Sequence, residues 1–323
     1  MFLATMPIEA AVGHILRHNL AGPDGRKAFA KGHRIHANDL PKLRELGVEQ
    51  LRVAVLEDGD VHEDEAARRL AVAACGPGVQ ARPPAASRVN LFAQADGVMK
   101  VDVEALLQIN AIDGLTVATL PSNRLVRARQ RVATIKIIPF AVRESELAQA
   151  EALGKASAAV IAVRPLQSCA VGVILVGSRA AQPRIEAGVY PAIESRVTEL
   201  GSHVLATRYT DAEEQEIADA IGELREAGAQ LLIIAGETSI MDRDDVTPQG
   251  IRLAGGRIEH YGAPVEPGNL LLLAYLDELP VLGAPGCVRS RDVNIVDLLL
   301  PRLLAGEQIS RRDIIVLGHG GLL

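Results

Sequence analysis

The feature that most limits how this chain can fold is a set of uninterrupted apolar runs in its C-terminal half. They are "CAVGVILVGS" from Cys169, "AQLLIIAG" from Ala229 and "LLLLAYL" from Leu270. A strand with one wet face places a polar residue at every second position, and these runs do not, so they must be covered on both faces. Between them lie amphipathic segments such as "GVYPAIESRVTELG" and "DAEEQEIADAIGELREAG", each closed by glycine. Strand and helix alternating over short connections call for an α/β domain with a doubly wound, mostly parallel sheet, here spanning residues 169–323.

The N-terminal half reads differently. Residues 1–80 form an α+β module, with a hairpin in "AGPDGRKAFAKGHRI", a helix in "ANDLPKLRELGV", a strand in "VEQLRVAVL" and a helix in "HEDEAARRLAVAACG". Residues 81–145 break into short β-rich runs punctuated by Gly, Pro and Asn, as a small β-rich module would. Residues 146–168, entered through "RESELAQAEALGKA", read as a helical linker.

Composition narrows the function classes. A net charge of −6 over 323 residues argues against a general nucleic-acid surface, so any anionic ligand must be held by local groups. Three cysteines (Cys75, Cys169, Cys287) without a CxxC pair offer neither a disulfide framework nor a structural zinc site. No signal-peptide pattern and no apolar run of the ~18 residues a membrane span needs is visible, and the expected location is cytoplasmic.

In doubly wound sheets, ligands sit beyond the carboxyl ends of the strands. Three stretches follow expected strand ends: "VGSR" at 176–179, "AGETSIMDRDD" at 235–245 and "GAPGCVRS" at 283–290. All three should meet on one rim, where glycines allow close backbone approach and helix starts present free N–H groups.

These stretches resemble the molybdopterin-binding domain shared by molybdopterin adenylyltransferases and molybdopterin molybdotransferases. The loop Gly236-Glu237-Thr238-Ser239 leading to Asp242 matches the family's glycine loop and following aspartate. Asp245-Val246-Thr247-Pro248 matches the adenylyltransferases' Asp-Val-Thr-Pro string. Glu266-Pro267-Gly268-Asn269-Leu270 is similar to the molybdotransferases' Arg-Pro-Gly-Lys-Pro loop, Ala284-Pro285-Gly286-Cys287-Val288 to their Leu-Pro-Gly-Asn-Pro loop, and Asp211 to the acid after the second strand. The likeness covers residues 171–306, and the layout of the whole chain resembles a bacterial group of molybdopterin-binding proteins, some fused to a nucleotidyltransferase domain.

The resemblance implies molybdopterin, or its nucleotide form, as ligand or substrate in molybdenum-cofactor synthesis or delivery. Asp211, Asp242 and Asp245 would be the catalytic positions if the protein is a transferase. Gly177, Ser178, Gly236, Glu237, Thr238, Ser239, Gly268, Pro285, Gly286, Cys287 and Ser290 would surround the ligand. Asp242, Asp244 and Asp245 would hold Mg²⁺, and whether Asp244 or Asp245 is the family aspartate stays open. Glu237, Glu266 and Asn269 depart from the family's loops by adding acid or removing base, which favours binding or chaperoning over autonomous transfer. The same domain in relatives of the nicotinamide-nucleotide amidohydrolase group gives an alternative, a Mg-dependent nucleotide pyrophosphate hydrolase. A nucleotidyltransferase or molybdoenzyme partner and a homo-oligomer complete the expectations.

Each position also has a plainer reading. Asp245 and Asp211 could simply cap the helices they precede, and Arg179 and Arg184 could be solvated loop arginines. His260 and Tyr261 could line the ligand pocket or be half-buried strand residues, and the basic run at 124–131 could be a solvated face. Cys287, at a helix start, could have a lowered thiol pKa.

Overall fold

The structure, a computed structural model, describes residues 1–237 and 240–323. Its contacts divide the chain into two units, residues 1–95 with 99–164, and residues 96–98 with 165–323.

In the first unit, strands Phe2–Pro7 and Ile15–Leu16 flank Gln50–Val55 over a small core of Ile8, Ile35, Leu43, Leu51 and Val53. The expected hairpin pairs Leu20–Ala21 with Lys27–Phe29. A second core lies under the antiparallel strands Leu115–Thr119, Arg131–Ile137, Arg88–Ala93 and Val79–Ala81. Within the stretch expected to be β-rich, Val103–Asn110 is a helix, started by the Asp102 carboxylate accepting from the Ala105 amide at 3.0 Å. The helix Glu144–Ala156, expected as a linker, packs into this unit with Leu147, Ala150 and Gly154 buried. A methyl group at Gly154 would sit 2.5 Å from the Ala73 carbonyl, so the glycine lets it lie tightly against the helix Glu63–Ala74. Arg69 on that helix clamps Glu144 and Glu151, at 2.7 and 2.8 Å.

The second unit is built on a six-stranded sheet. Its strands in chain order are β1 (Ala170–Val176), β2 (His203–Thr210), β3 (Leu231–Gly236), β4 (Arg257–Tyr261), β5 (Leu272–Leu276) and β6 (Leu279–Gly283). They lie side by side as β2-β1-β3-β6-β5-β4, the first four parallel, β5 antiparallel to β6, and β4 antiparallel to β5. The helices are α1 (Gln182–Gly188), α2 (Tyr190–Glu199), α3 (Glu214–Glu226), α4 (Val246–Leu253), α5 (Ile295–Leu304) and α6 (Arg311–Ile315).

The run that opens β1 explains the layering. Val171, Val173 and Leu175 point to one side, into a core with Ile185, Ile193, Val197, Leu299 and Leu300 from α1, α2 and α5. Ile174 and Val176 point to the other, into a core with Ile217, Ile221, Leu224 and Ile251 from α3 and α4. Burying each such side chain stabilises by roughly 1.5–3 kcal/mol, so a polar residue is tolerated on neither face. This is the mostly parallel, helix-covered sheet that the apolar runs demand. Among the described residues no helix is long and apolar enough to cross a membrane.

Candidate functional site

At the carboxyl ends of β1, β3 and β6 the second unit opens into a cleft of about 490 Å³. Gly177 and Ser178 follow β1, Gly236 and Glu237 end and follow β3, Ile240, Met241 and Asp245 to Thr247 come from the acidic loop and α4, and Ala284 follows β6. The three turns that the strand-end rule singles out therefore meet in one place. Val176, Ile234, Ala235, Ile240 and Ala284 make the floor apolar, while Ser178, Glu237, Asp245 and Thr247 supply polar groups.

Gly177 has to be glycine. A methyl group there would lie 2.5 Å from Ile185 Cδ1 and 2.9 Å from Tyr209 Oη. Its amide donates to the Thr210 carbonyl at 3.1 Å and Tyr209 Oη donates to the Ser178 carbonyl at 2.8 Å, which fixes the turn after β1 against β2. Glu237, the acid standing at a family glycine, is occupied. Arg184 Nη2 donates to its Oε1 at 2.5 Å and Ser178 Oγ to its Oε2 at 3.2 Å. Its charge is thus paired with Arg184 of α1, and its side chain ties the first turn to the third strand. Burial first, then the charges of Glu237 and Asp211, push the Tyr209 phenol above its ordinary value.

Asp245 does not cap the helix it precedes, as its plainer reading expects. It stands at the N-cap of α4, but its carboxylate makes no capping bond to that helix. Instead its Oδ2 accepts from the Met241 and Asp242 amides, at 2.6 and 3.0 Å, and so closes the preceding turn. Val246 and Thr247, the first two residues of α4, border the cleft. Asp242 Oδ1 accepts from the Asp244 amide at 2.9 Å, and Asp244 lies 3.7 Å from Arg252. Among the described residues no three His, Cys, Asp or Glu side chains come together as a metal group. The Mg²⁺ set of Asp242, Asp244 and Asp245 does not fit as a three-carboxylate site.

Asp211 caps nothing either. The cap of α3 is Glu213, and Asp211 Oδ2 accepts from Arg179 Nε at 3.1 Å beside the cleft, which its neighbour Ala212 borders. Arg179 and Arg184 are therefore ion-paired arginines rather than merely solvated ones.

Of the other expected residues, Thr238 and Ser239 lie outside the described residues. Gly268, Pro285, Gly286, Cys287 and Ser290 do not border the cleft. Gly268 serves packing: at φ +129° a methyl group on it would sit 2.3 Å from Ile295 Cγ2, at the start of α5. Ser290 Oγ donates to Asp292 Oδ2 at 2.8 Å and is engaged locally. Burial pushes the Cys287 thiol up, against the lowered value that its helix-start position suggested. His260 and Tyr261 are half-buried on β4 and lie outside this cleft, the strand-residue reading.

Sequence reasoning missed the residue that shapes the third turn. Arg196 on α2, 8% exposed, forks onto Asp297 at 2.9 and 3.2 Å and donates to the carbonyls of Val288, Ser290 and Asp292 at 2.9, 2.8 and 3.2 Å. In the sequence it is one more polar position of an amphipathic helix. Only its distance from the Gly stop, in the last turn facing the apolar stripe, hinted at burial. Ala212, Ile240 and Met241 were likewise unremarkable small or apolar loop residues.

Comparison with known proteins agrees with the loops. Residues 172–305 match the family model described as "Probable molybdopterin binding domain", the family that the loop motifs resemble. Residues 5–55 match a domain of unknown function. No curated protein matches the chain. Similar solved structures include the molybdopterin biosynthesis moea protein from Pyrococcus horikosii, 14% identical, covering 94% of this chain and 75% of that one with a TM-score of 0.32. The tungsten cofactor synthesizing protein MoaB from Pyrococcus furiosus is 16% identical over 42% of this chain and 91% of its own, with a TM-score of 0.30. The molybdopterin biosynthesis Mog protein from Mycobacterium ulcerans is 17% identical over 42% of this chain and 93% of its own, with a TM-score of 0.28.

Proposed function

We propose that the cleft of the second unit binds the phosphorylated pterin of the molybdenum cofactor, as molybdopterin or its nucleotide form, for synthesis or delivery of that cofactor. The observation that carries this reading is the meeting of the three strand-end turns around one cleft inside the span that matches the molybdopterin-binding family. Its size falls within the ~300–1,000 Å³ of small-molecule sites, and an apolar floor with a few polar groups suits a fused heterocycle. The first turn of α4, to which Asp245 makes no capping bond, offers N–H groups to the ligand's phosphate. Glu237 offsets the charge of Arg184, the arginine it pairs with.

The chemistry this chain supplies is positioning. Asp245 shapes the loop, Gly177 lets the turn after β1 pack against Ile185 and Tyr209, and Arg184 and Arg179 are each tied to a carboxylate, Glu237 and Asp211. Such a site binds and orients. Glu237, Glu266 and Asn269, which add acid to the family's loops or remove base from them, favour a carrier over an adenylyl- or molybdotransferase; the alternative is the metal-dependent pyrophosphate hydrolase, for which no three His, Cys, Asp or Glu side chains come together among the described residues. A cytoplasmic location, a homo-oligomer and a nucleotidyltransferase or molybdoenzyme partner belong to the same proposal.

Fluorescence titration of the full chain with molybdopterin and with its nucleotide form tests it. Saturable binding is expected, and Glu237→Gln should tighten it about tenfold, because one like charge at the phosphate's edge disappears and Arg184 is freed. A folded chain that binds neither form at any concentration tried would refute the proposal.

A further inference from the structure

A second cavity, of about 600 Å³, lies beside β4, the last strand of the sheet order, and it takes no part in the cleft described above. Arg243 reaches its border from the acidic loop, Arg252 from α4, Arg257 and His260 from β4, and Arg311 from α6. The one acid on the border, Glu259, is committed: its carboxylate accepts from the Arg257 side chain and, at 2.9 Å, from the Arg311 amide. Four arginines against Glu259 and the adjacent Asp244 leave a local excess of positive charge inside a chain whose net charge is −6. Asp244 stands 3.7 Å from Arg252, while the Arg243 and Arg311 side chains have no ion-pair partner among the described residues.

The fold gathers this charge deliberately. The pairing of β4 with β5 slips between Ile258 and His260, and all five residues from Arg257 to Tyr261 border the cavity, which strict alternation along a strand would not favour. Arginines that only keep a surface soluble gain from being spread apart. Four that converge on one concavity from four segments repel one another until an anion joins them.

We propose that this cavity binds a small molecule carrying a di- or triphosphate chain, free or attached to a nucleoside, gripped by the guanidinium forks of Arg243, Arg252, Arg257 and Arg311. The assignment is independent of what the first cleft holds. It also links the two, since Arg243 belongs to the loop whose Met241 and Asp245 border that cleft, and Tyr261 Oη on β4 donates to the Ile240 carbonyl at 2.9 Å. An occupant that engages Arg243 therefore braces one wall of the first cleft. His260 reports on occupancy. Burial, then Arg311 and Arg243, hold its imidazole below the ordinary value, while the Gly262 backbone and Glu259 act the other way; Arg252 and Arg257 complete the charges around it. A bound anion reverses the arginines' effect.

Calorimetric titration of the full chain with pyrophosphate and with ATP, at low and at high salt, tests the assignment. Saturable binding that weakens with salt is expected, and Arg243→Gln/Arg311→Gln should weaken it by roughly 10–100-fold. Both side chains are exposed, and circular dichroism of the double variant should match that of the parent. Equal affinity for the two probes means that the phosphate chain alone is read; tighter ATP binding means that the nucleoside is read as well. By NMR, pyrophosphate should raise the His260 imidazole pKa in the parent and not in the double variant. Failure of both probes to bind at low salt, or binding that the double variant leaves intact, would overturn the proposal.

Discussion

Replacing Arg196 by methionine tests the claim that a buried guanidinium, and not the loop's own sequence, shapes the turn after β6. Methionine keeps the apolar stem but removes every hydrogen bond. The Asp292 carbonyl keeps the Asn294 side-chain amide at 3.1 Å, and Asp297 keeps the Asn294 backbone amide at 2.9 Å. The Val288 and Ser290 carbonyls lose the Arg196 bonds of 2.9 and 2.8 Å. Each under-satisfied buried carbonyl costs about 1–3 kcal/mol, and losing the partner of a largely buried ion pair sets an upper range near 3–5 kcal/mol. Because the Asp297 side chain is 29% exposed, the lower part of that range applies, about 3 kcal/mol. For a unit of this size that corresponds to a fall of roughly 6–12 °C in the melting temperature. Urea unfolding followed by circular dichroism gives the free energy, with an unchanged slope as the control for a common mechanism. Arg196→Lys, which keeps the charge but not the fork, should fall between the two, and Arg196→Met combined with Asp297→Leu should recover part of the loss. An Arg196→Met protein within about 0.5 kcal/mol of the parent would refute the reasoning.

Two further outcomes follow from the packing and the ion pairs. Gly268→Ala should cost at least about 2 kcal/mol, because its φ of +129° strains any side chain and its methyl group meets Ile295; adding Ile295→Ala should relieve the clash but not the strain, as a pair of denaturation curves would show. In the first unit, hydrogen bonds from Arg69 hold the Glu144 and Glu151 carboxyls below the ordinary 4.5. Their contribution is present above that unfolded value and is lost as pH falls through the folded ones. Arg69→Gln should therefore destabilise at about pH 7 and converge with the parent as pH falls below the folded values of the two carboxyls, which unfolding curves at descending pH would check.

How much of this was legible beforehand depends on how local the cause is. The β1 and β3 runs declared themselves because a strand covered on both faces admits no polar alternation. The rim followed, since strand ends in such a sheet are where loops gather. Gly177, Ser178, Gly236, Glu237 and Asp245 were placed at the cleft by that rule and the loop resemblance together. The helix Val103–Asn110 escaped because eight residues between β runs hold too few turns to display a helical period. The burial of Glu144–Ala156 escaped because a helix with one modest apolar stripe reads alike whether it links or packs.

By itself, then, the sequence determined the α/β layering of residues 169–323 and the end of the sheet at which the three turns meet, because both arise from side-chain periodicity within short segments. Only the tertiary structure decided what the charged residues do there. Arg196 meets Asp297 across 101 positions, Arg184 meets Glu237 across 53, and Asp245 turns back on its own loop instead of capping α4. The arginines around the second cavity come from four separate segments. A charge has no periodicity, and its partner, which sets whether it is neutralised or available, is known only when distant segments are in place.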